Sequence, residues 1–260
     1  MTTGREARGE RREEAAASLA HDISSEKTAN PSGLTPAIDP LASSLSPLAS
    51  SVALPVVRKL GLVEYEPTLR AMRQFTAERT TGTCDEIWLL EHPAVYTYGV
   101  AGRAEHLPPE DCGIPIVKVD RGGQVTFHGP GQLIVYALID LRRRNLGVRD
   151  LVKLLEQAVL DLLAESGIRA ERRDGAPGVY VDSAKIAALG LRIRGGCSYH
   201  GLSLNVDVDL EPFNAIDPCG YPDLTVTRTR DLGLADSMDD LGERLVGKIT
   251  QLLGTTEKRK

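Results

Sequence analysis

IPIVKVDRGGQVTFHGPGQLIVYALIDL, residues 114–141, sets two aliphatic, β-branched runs on either side of a glycine-rich segment. Such runs read as strands, because branched side chains suit a pleated surface and Gly, Pro and Asp punctuate their ends. The same signature recurs in IWLL (87–90), AVYTYG (94–99), GVYV (178–181) and KIAALGLRI (185–193). Helical spacing appears elsewhere. Val148, Leu151, Val152, Leu155, Val159, Leu162 and Leu163 repeat before Gly167, a stop signal; Leu241, Leu245, Ile249 and Leu252 repeat near the end; Leu69, Met72 and Phe75 suggest a third helix. Strands outnumber helices, and no β-helix-β period repeats. The expected class is α+β, a mixed and largely antiparallel sheet with packed helices, rather than a doubly wound sheet.

The chain has 260 residues, 42% hydrophobic and 26% charged, enough for one sizeable core and one folded domain over 52–260. Residues 1–51 differ in kind. Arg5, Arg8, Arg11 and Arg12 alternate with Glu6, Glu10, Glu13 and Glu14, and a Ser-, Pro-, Ala- and Leu-dominated stretch follows, so a disordered extension is expected. Its glutamates argue against an organelle transit peptide, and it has no apolar core for secretion. The cysteines at 84, 112, 197 and 219 form no C-x-x-C pair, so zinc-ligand spacing is absent and a reduced, cytoplasmic compartment is expected. LIVYALI (133–139), the longest apolar run in the body of the chain, is too short for a membrane helix. Neither a membrane nor a nucleic acid is expected as a partner.

Three polar segments carry candidate chemistry. Cys219 lies in the turn-rich DPCGYP, thirty-four positions after Lys185, with GGCSYHGLSLN (195–205) between them. A thiolate is the nucleophilic form of cysteine, and an ammonium nearby would stabilise it, or a desolvated amine would accept the thiol proton. The plainer readings are a small buried cysteine and a lysine that snorkels to the surface. RGGQVTFHGPGQL (121–133) holds four glycines in eleven positions, which suits a loop wrapping a substrate, with Arg121 and His128 as polar handles, or a hairpin bend. It is not a P-loop: G-x-x-x-x-G-K-[ST] is absent. His200 reads as a satisfied core histidine or as an additional polar site residue.

RGGQVTFHGPGQL, KIAALGLRI, GCSYHGLSLNV and FNAIDPCG, in this order and spacing, resemble the octanoyltransferases of lipoate biosynthesis, also called lipoyl(octanoyl) transferases, over roughly Val56 to Leu253. The departures are Phe127, where tyrosine is common, and Asp217, where a small polar residue is usual. The resemblance implies a catalytic domain like that of biotin and lipoate protein ligases. It also implies an acyltransferase that moves an octanoyl group from octanoyl-acyl carrier protein to a lysine of a lipoyl domain. The acceptors would be 2-oxoacid dehydrogenase complexes and the glycine cleavage H protein. Cys219 would carry the acyl group as a thioester and Lys185 would take the thiol proton. By the same resemblance Arg121, Gly122, Gly123, Gln124, Val125, Thr126, Phe127 and His128, then Ala188, Leu189 and Gly190, then Gly201, Leu202 and Ser203, would contact substrate. No metal, no ATP and a monomer are expected. Two alternatives stay open: an ATP-dependent lipoate ligase on the same sheet, and a noncatalytic acyl-binding module in which Cys219 is incidental. Because the net charge is −5, an acidic carrier needs a local basic patch; Arg142, Arg143, Arg144 and Arg149 are a candidate, against a merely solvated turn.

Overall fold

The computed structural model describes residues 52–109, 111–216 and 224–256; the expected N-terminal extension (1–51), Asp217 and Cys219 lie outside them. In chain order the elements are β1 (Val56–Leu62), α1 (Tyr65–Glu78), β2 (Glu86–Glu91), β3 (Val95–Tyr98), β4 (Ile116–Lys118), β5 (Val125–His128) and β6 (Gln132–Leu138). Then come α2 (Val148–Glu165), β7 (Val179–Val181), β8 (Ala184–Arg194), β9 (Cys197–Asn205) and α3 (Met238–Thr256). A six-stranded sheet runs in the order β1-β2-β6-β9-β8-β7, and a three-stranded sheet in the order β4-β3-β5. Pairs β1–β2 and β3–β4 are parallel and the others antiparallel, so the mixed, largely antiparallel expectation holds, divided between two sheets.

The apolar stripes of the helices decide the layers. Leu155, Leu162, Leu245 and Ile249 of α2 and α3 pack on Ile87, Leu133, Val135 and Leu204 across one face of the large sheet. Leu69 and Met72 of α1 cover Trp88, Ile134, Tyr136 and Tyr199 on the opposite face. The small sheet contributes a further cluster, Tyr96, Val125 and Phe127 with Phe213. The three helices stand where the spacing predicts them, although Val148, at the first position of α2, is 44% exposed. No helix among the described residues is long and apolar enough to cross a membrane.

Two segments differ from expectation. GGCSYHGLSLN reads as a polar run, yet residues 197–205 form β9, buried along its whole length between β6 and β8. Ser198, Tyr199, His200 and Asn205 are all hydrogen-bonded inside the protein, as burial demands. Ser198 Oγ donates to the Ala137 carbonyl at 2.7 Å and accepts from the Ile139 N–H at 3.1 Å, and Asn205 Nδ2 donates to the Thr227 carbonyl at 2.9 Å. The hairpin reading of the glycine-rich segment fails, because β5 belongs to the small sheet and β6 to the large one. The chain changes layers at Gly129–Gly131. Gly131 has φ +85°, and a Cβ there would meet the Asp207 and Val208 backbone at 2.6–2.7 Å.

The arginine cluster is corrected in part: Arg142 and Arg149 are exposed, whereas Arg143 and Arg144 turn inward. Asp85 is fully buried and accepts from Arg79 at 2.5 Å, Arg143 at 2.6 Å, Arg144 at 2.6 Å and the Asp140 N–H at 2.8 Å. Burial alone would push its carboxyl up, but the Asp140 N–H and the guanidinium groups outweigh that and hold it below the usual range. The Arg144 side chain is 1% exposed, so Arg143 and Arg144 tie the loop after β6 to the start of β2 instead of facing a carrier. Asp85→Ala leaves this cluster of buried cations without its carboxylate. A loss of about 3–5 kcal/mol is expected, read as a lower urea midpoint at unchanged slope.

Candidate active site

Strand alternation decides which β8 side chains reach the site. Ala187, Leu189 and Leu191 belong to the core under α2 and α3, so Ala188 and Gly190 face the other way. By that count Lys185 would point toward the helices. It does not, because Val179 pairs with Ala187 while the next residue, Tyr180, pairs with Lys185. Ile186 is thus an extra residue, a β-bulge that keeps Ile186 in the helix-side core and turns Lys185 onto the face of Ala188 and Gly190. There Lys185 is 4% exposed, with Nζ donating to the Pro177 carbonyl at 3.2 Å and lying 5.2 Å from the Tyr180 ring centroid. The lysine of this apolar strand is held inside.

A second irregularity sits in β9. Adjacent strand residues normally point to opposite faces, but His200 has φ +62°. Its ring therefore stacks on that of its neighbour Tyr199, centroids 5.0 Å apart and planes at 26°. Both reach one carboxylate. Tyr199 donates to Asp120 Oδ2 at 2.6 Å, His200 Nε2 lies 3.2 Å from Oδ1, and Arg73 is 3.1 Å from the same oxygen. The bond from His200, with those from Tyr199 and Arg73, keeps the Asp120 carboxyl far below the usual carboxylate range, while burial outweighs Asp120 and lowers His200.

Between the large sheet, α1 and β5 lies one cavity, into which Lys185 and His200 both face. Arg121, Gly123, Gln124, Val125, Thr126 and His128 line it, as do Ala188, Leu189, Gly190, Gly201, Leu202 and Ser203. Three stretches far apart in sequence are thus brought together. Gly122 and Phe127 are not on this wall: Gly122 N–H donates to the Leu191 carbonyl at 2.9 Å, and Phe127 packs edge-on against Phe213 at 5.5 Å. Sequence reading misses Tyr65, Gln132, Tyr136 and Asn205, which also line it. Gln132, the one amide in the otherwise apolar β6, opposite Asn205 of β9, is the available signal.

These polar residues form a directional chain. Arg121 donates to Thr97 Oγ1 at 2.9 Å; Thr97 Oγ1 lies 3.3 Å from His128 Nε2; His128 Nδ1 lies 2.7 Å from Gln132 Oε1; and Gln132 Nε2 donates to Asn205 Oδ1 at 2.8 Å. Asn205 closes it on the Thr227 carbonyl. A carbonyl only accepts, so from Thr227 back through Asn205 and Gln132 the sense is fixed and His128 Nδ1 carries a proton; burial keeps the ring neutral, which leaves Nε2 to accept from Thr97. Burial, aided by the neighbouring His92, pushes His128 down to about 3. His92 is fixed similarly. Its Nδ1 donates to the Val63 carbonyl at 2.6 Å and its Nε2 accepts from Tyr136 at 2.8 Å, and burial lowers it to about 4.

The family model described as the lipoyl protein ligase A/B catalytic domain matches residues 64–250, a span that contains every cavity residue named above. An octanoyltransferase of Azoarcus sp. is 62% identical over 206 residues, 79% of this chain and 91% of the relative; one of Dechloromonas aromatica is 61% identical, covering 76% and 97%. The chain belongs to the octanoyltransferase family. Among solved structures, lipoate-protein ligase A bound with ATP superposes with a TM-score of 0.65 at 17% identity, covering 77% of this chain and 86% of that one. Biotin protein ligase from Aquifex aeolicus with biotin and ATP gives 0.52 at 12% identity, covering 79% and 73%. At such identities the likeness is one of fold, and it matches the ligase-like domain that the sequence implies.

In this octanoyltransferase-family chain the depressed histidines, His92 and His128 above all, make stability depend on pH. Both folded values lie below the ordinary 6.5, so the unfolded chain binds more protons in between and stability rises with pH across that window. As pH drops from 6.5 toward 4, unfolding free energy should fall by several kcal/mol, each histidine contributing at most about 1.4 kcal/mol for every tenfold rise in proton concentration. Urea titrations of His92→Gln should show a flatter decline than the parent over the same range.

Proposed function

We propose that the chain transfers an octanoyl group from octanoyl-acyl carrier protein to a lysine of lipoyl domains through a thioester on Cys219. Lys185 is the proton carrier in this reading. Family membership supplies the acyl class, and the observation that carries the mechanism is Lys185, turned by the Ile186 bulge into the end of a glycine-walled cavity. In the first half-reaction Lys185 Nζ takes the Cys219 thiol proton, the thiolate attacks the carrier thioester, and the proton passes to the departing carrier thiolate. In the second, the acceptor lysine reaches the acyl-enzyme as a free amine, having left one proton to solvent. Attack expels the Cys219 thiolate, and Lys185 moves the remaining proton from nitrogen to sulfur.

The thioester is already activated and its conversion to an amide is downhill, so ATP and a metal have no task in this scheme. Splitting the transfer also lets two protein substrates use one approach in turn. The acceptors in this reading are lipoyl domains of 2-oxoacid dehydrogenase complexes and the glycine cleavage H protein, met by a monomer in the cytoplasm. Intact-protein mass spectrometry after mixing with octanoyl-carrier protein, without ATP, tests it. One thiol-labile octanoyl adduct is expected on the parent and none on Cys219→Ala, with Lys185→Ala slower by roughly 10²–10⁴-fold. No adduct on the parent while the carrier remains intact would favour the ATP-dependent ligase or the binding module.

A further inference from the structure

We propose that Tyr65, Tyr136 and His200 form an end stop that sets the length of acyl chain the cavity accepts, a proposal that rests on the acyl-transfer reading above. The sheet register gives the cavity its direction. Ala187 lies opposite Leu204 and Leu191 opposite His200, so Lys185 stands beyond Asn205 at one end while Gly201 and His200 stand at the other. Tyr136, paired with Gly201, completes that far end, and the Tyr65 ring extends from it, meeting His92 at 4.9 Å on one side and stacking on His128 at 6.0 Å on the other. All three wall residues are at most 4% exposed.

Four strand residues separate Gly201 from Asn205, about 13 Å at roughly 3.3 Å each. With its carbonyl level with Asn205, next to Lys185, an octanoyl chain, whose seven bonds of about 1.5 Å advance roughly 9 Å as a zigzag, fills that span once about 4 Å of van der Waals contact separates its methyl from the wall. Two more carbons, roughly 2.5 Å, drive the methyl into the rings. Side-chain room is absent along the way: a Cβ on Gly201 would lie 1.9 Å from the Val135 carbonyl, and one on Gly190 would lie 2.9 Å from the Gly122 carbonyl.

The wall is held from behind, which makes it a stop and not a cushion. Tyr136 donates to His92, which is itself bound to the Val63 carbonyl; the Tyr65 ring meets His92 edge-on at 4.9 Å; and His200 is tied to Asp120. Swinging Tyr136 aside leaves both partners of a buried hydrogen bond unsatisfied, worth about thirtyfold or more, whereas the two further methylenes of a decanoyl chain return only about fifteenfold. The wall therefore wins against the longer chain.

The test offers carrier-bound octanoyl, decanoyl and dodecanoyl groups to the parent, to Tyr65→Ala and to His200→Gly, and follows acyl-enzyme formation by intact mass. Glycine suits the positive φ at 200, so the second variant opens the wall from its other side even if the first does not fold. The parent should favour octanoyl, and the dodecanoyl-to-octanoyl rate ratio should rise about tenfold or more in a folded variant, a ratio that cancels any general loss of activity. A parent that takes dodecanoyl as readily as octanoyl, or folded variants with the parent's ratio, overturns the end stop while leaving acyl transfer intact. Absence of any acyl-enzyme on the parent overturns both.

Discussion

Strand β9 is buried on both faces, and a polar atom that it turns away from the cavity costs free energy unless it finds a partner inside the protein. That constraint organises the site. Asn205 is satisfied through Gln132 and Thr227, Gln132 through His128, and His128 through Thr97, which Arg121 reaches from the glycine-rich segment. One hydrogen-bond chain thus ties β9, β6, β5 and β3 together beneath the cavity. Because its direction is fixed from the Thr227 carbonyl back to His128, the wall it forms does not need to reorganise when an apolar chain replaces water.

The cavity's two polar ends arise from two breaks in strand regularity. A bulge at Ile186 turns Lys185 inward, and a left-handed His200 sets two consecutive rings on one carboxylate. Neither break is free: left-handed backbone in a residue with a Cβ costs roughly 1–2 kcal/mol, and the β6–β9 ladder is interrupted beside it. Ser198 Oγ replaces the missing ladder bond to the Ile139 N–H, and the hydrogen bonds to the charged Asp120, typically about 1.5–3 kcal/mol each, offset the backbone strain. Such irregularities persist where the surroundings over-determine them, which is the case at both ends of this cavity.

Much of the fold is legible in the sequence, for a physical reason. α2, α3, β2 and β6 bury an apolar face or stripe, and burial is what periodicity reports. β1 escapes notice because VVRKLGL is exposed at every position, so no burial pattern marks it. β9 reads as a polar run because Ser198, His200, Ser203 and Asn205 interrupt its apolar alternation, and their partners lie in segments distant in sequence. The family motifs bring Lys185, the glycine-rich segment and Gly201–Ser203 to one cavity, yet they do not separate wall from support. Phe127 lies behind the wall and Gly122 lines an adjoining cavity, whereas Tyr65, Gln132, Tyr136 and Asn205 lie on it. The facing of Lys185 and His200 each depends on a single-residue irregularity, which side-chain chemistry alone does not encode. Arg143 and Arg144 read as surface charge until Asp85, some sixty positions away, is seen to receive them.

A proposed cysteine nucleophile, beside a cavity wall that holds histidines, invites a Cys–His scheme by its chemistry, and the hydrogen bonds of those histidines argue against it. His128 has both ring nitrogens engaged, by Thr97 and Gln132, and to accept a further proton it must lose the acceptor role on Nε2 in a buried, low-dielectric wall. His92 is bound at both nitrogens as well, behind Tyr136. His200 is anchored to Asp120 and stands five strand residues from Asn205, too far from Lys185 to share one proton. A group that shuttles protons between sulfur, carrier and amine must instead have a mobile head on a flexible stem. In the proposed scheme that group is Lys185, whose stem the Ile186 bulge turns inward and whose amine, held on the Pro177 carbonyl, faces the cavity. The histidines thereby serve the site by fixing its shape, and the proposed proton traffic falls to the lysine.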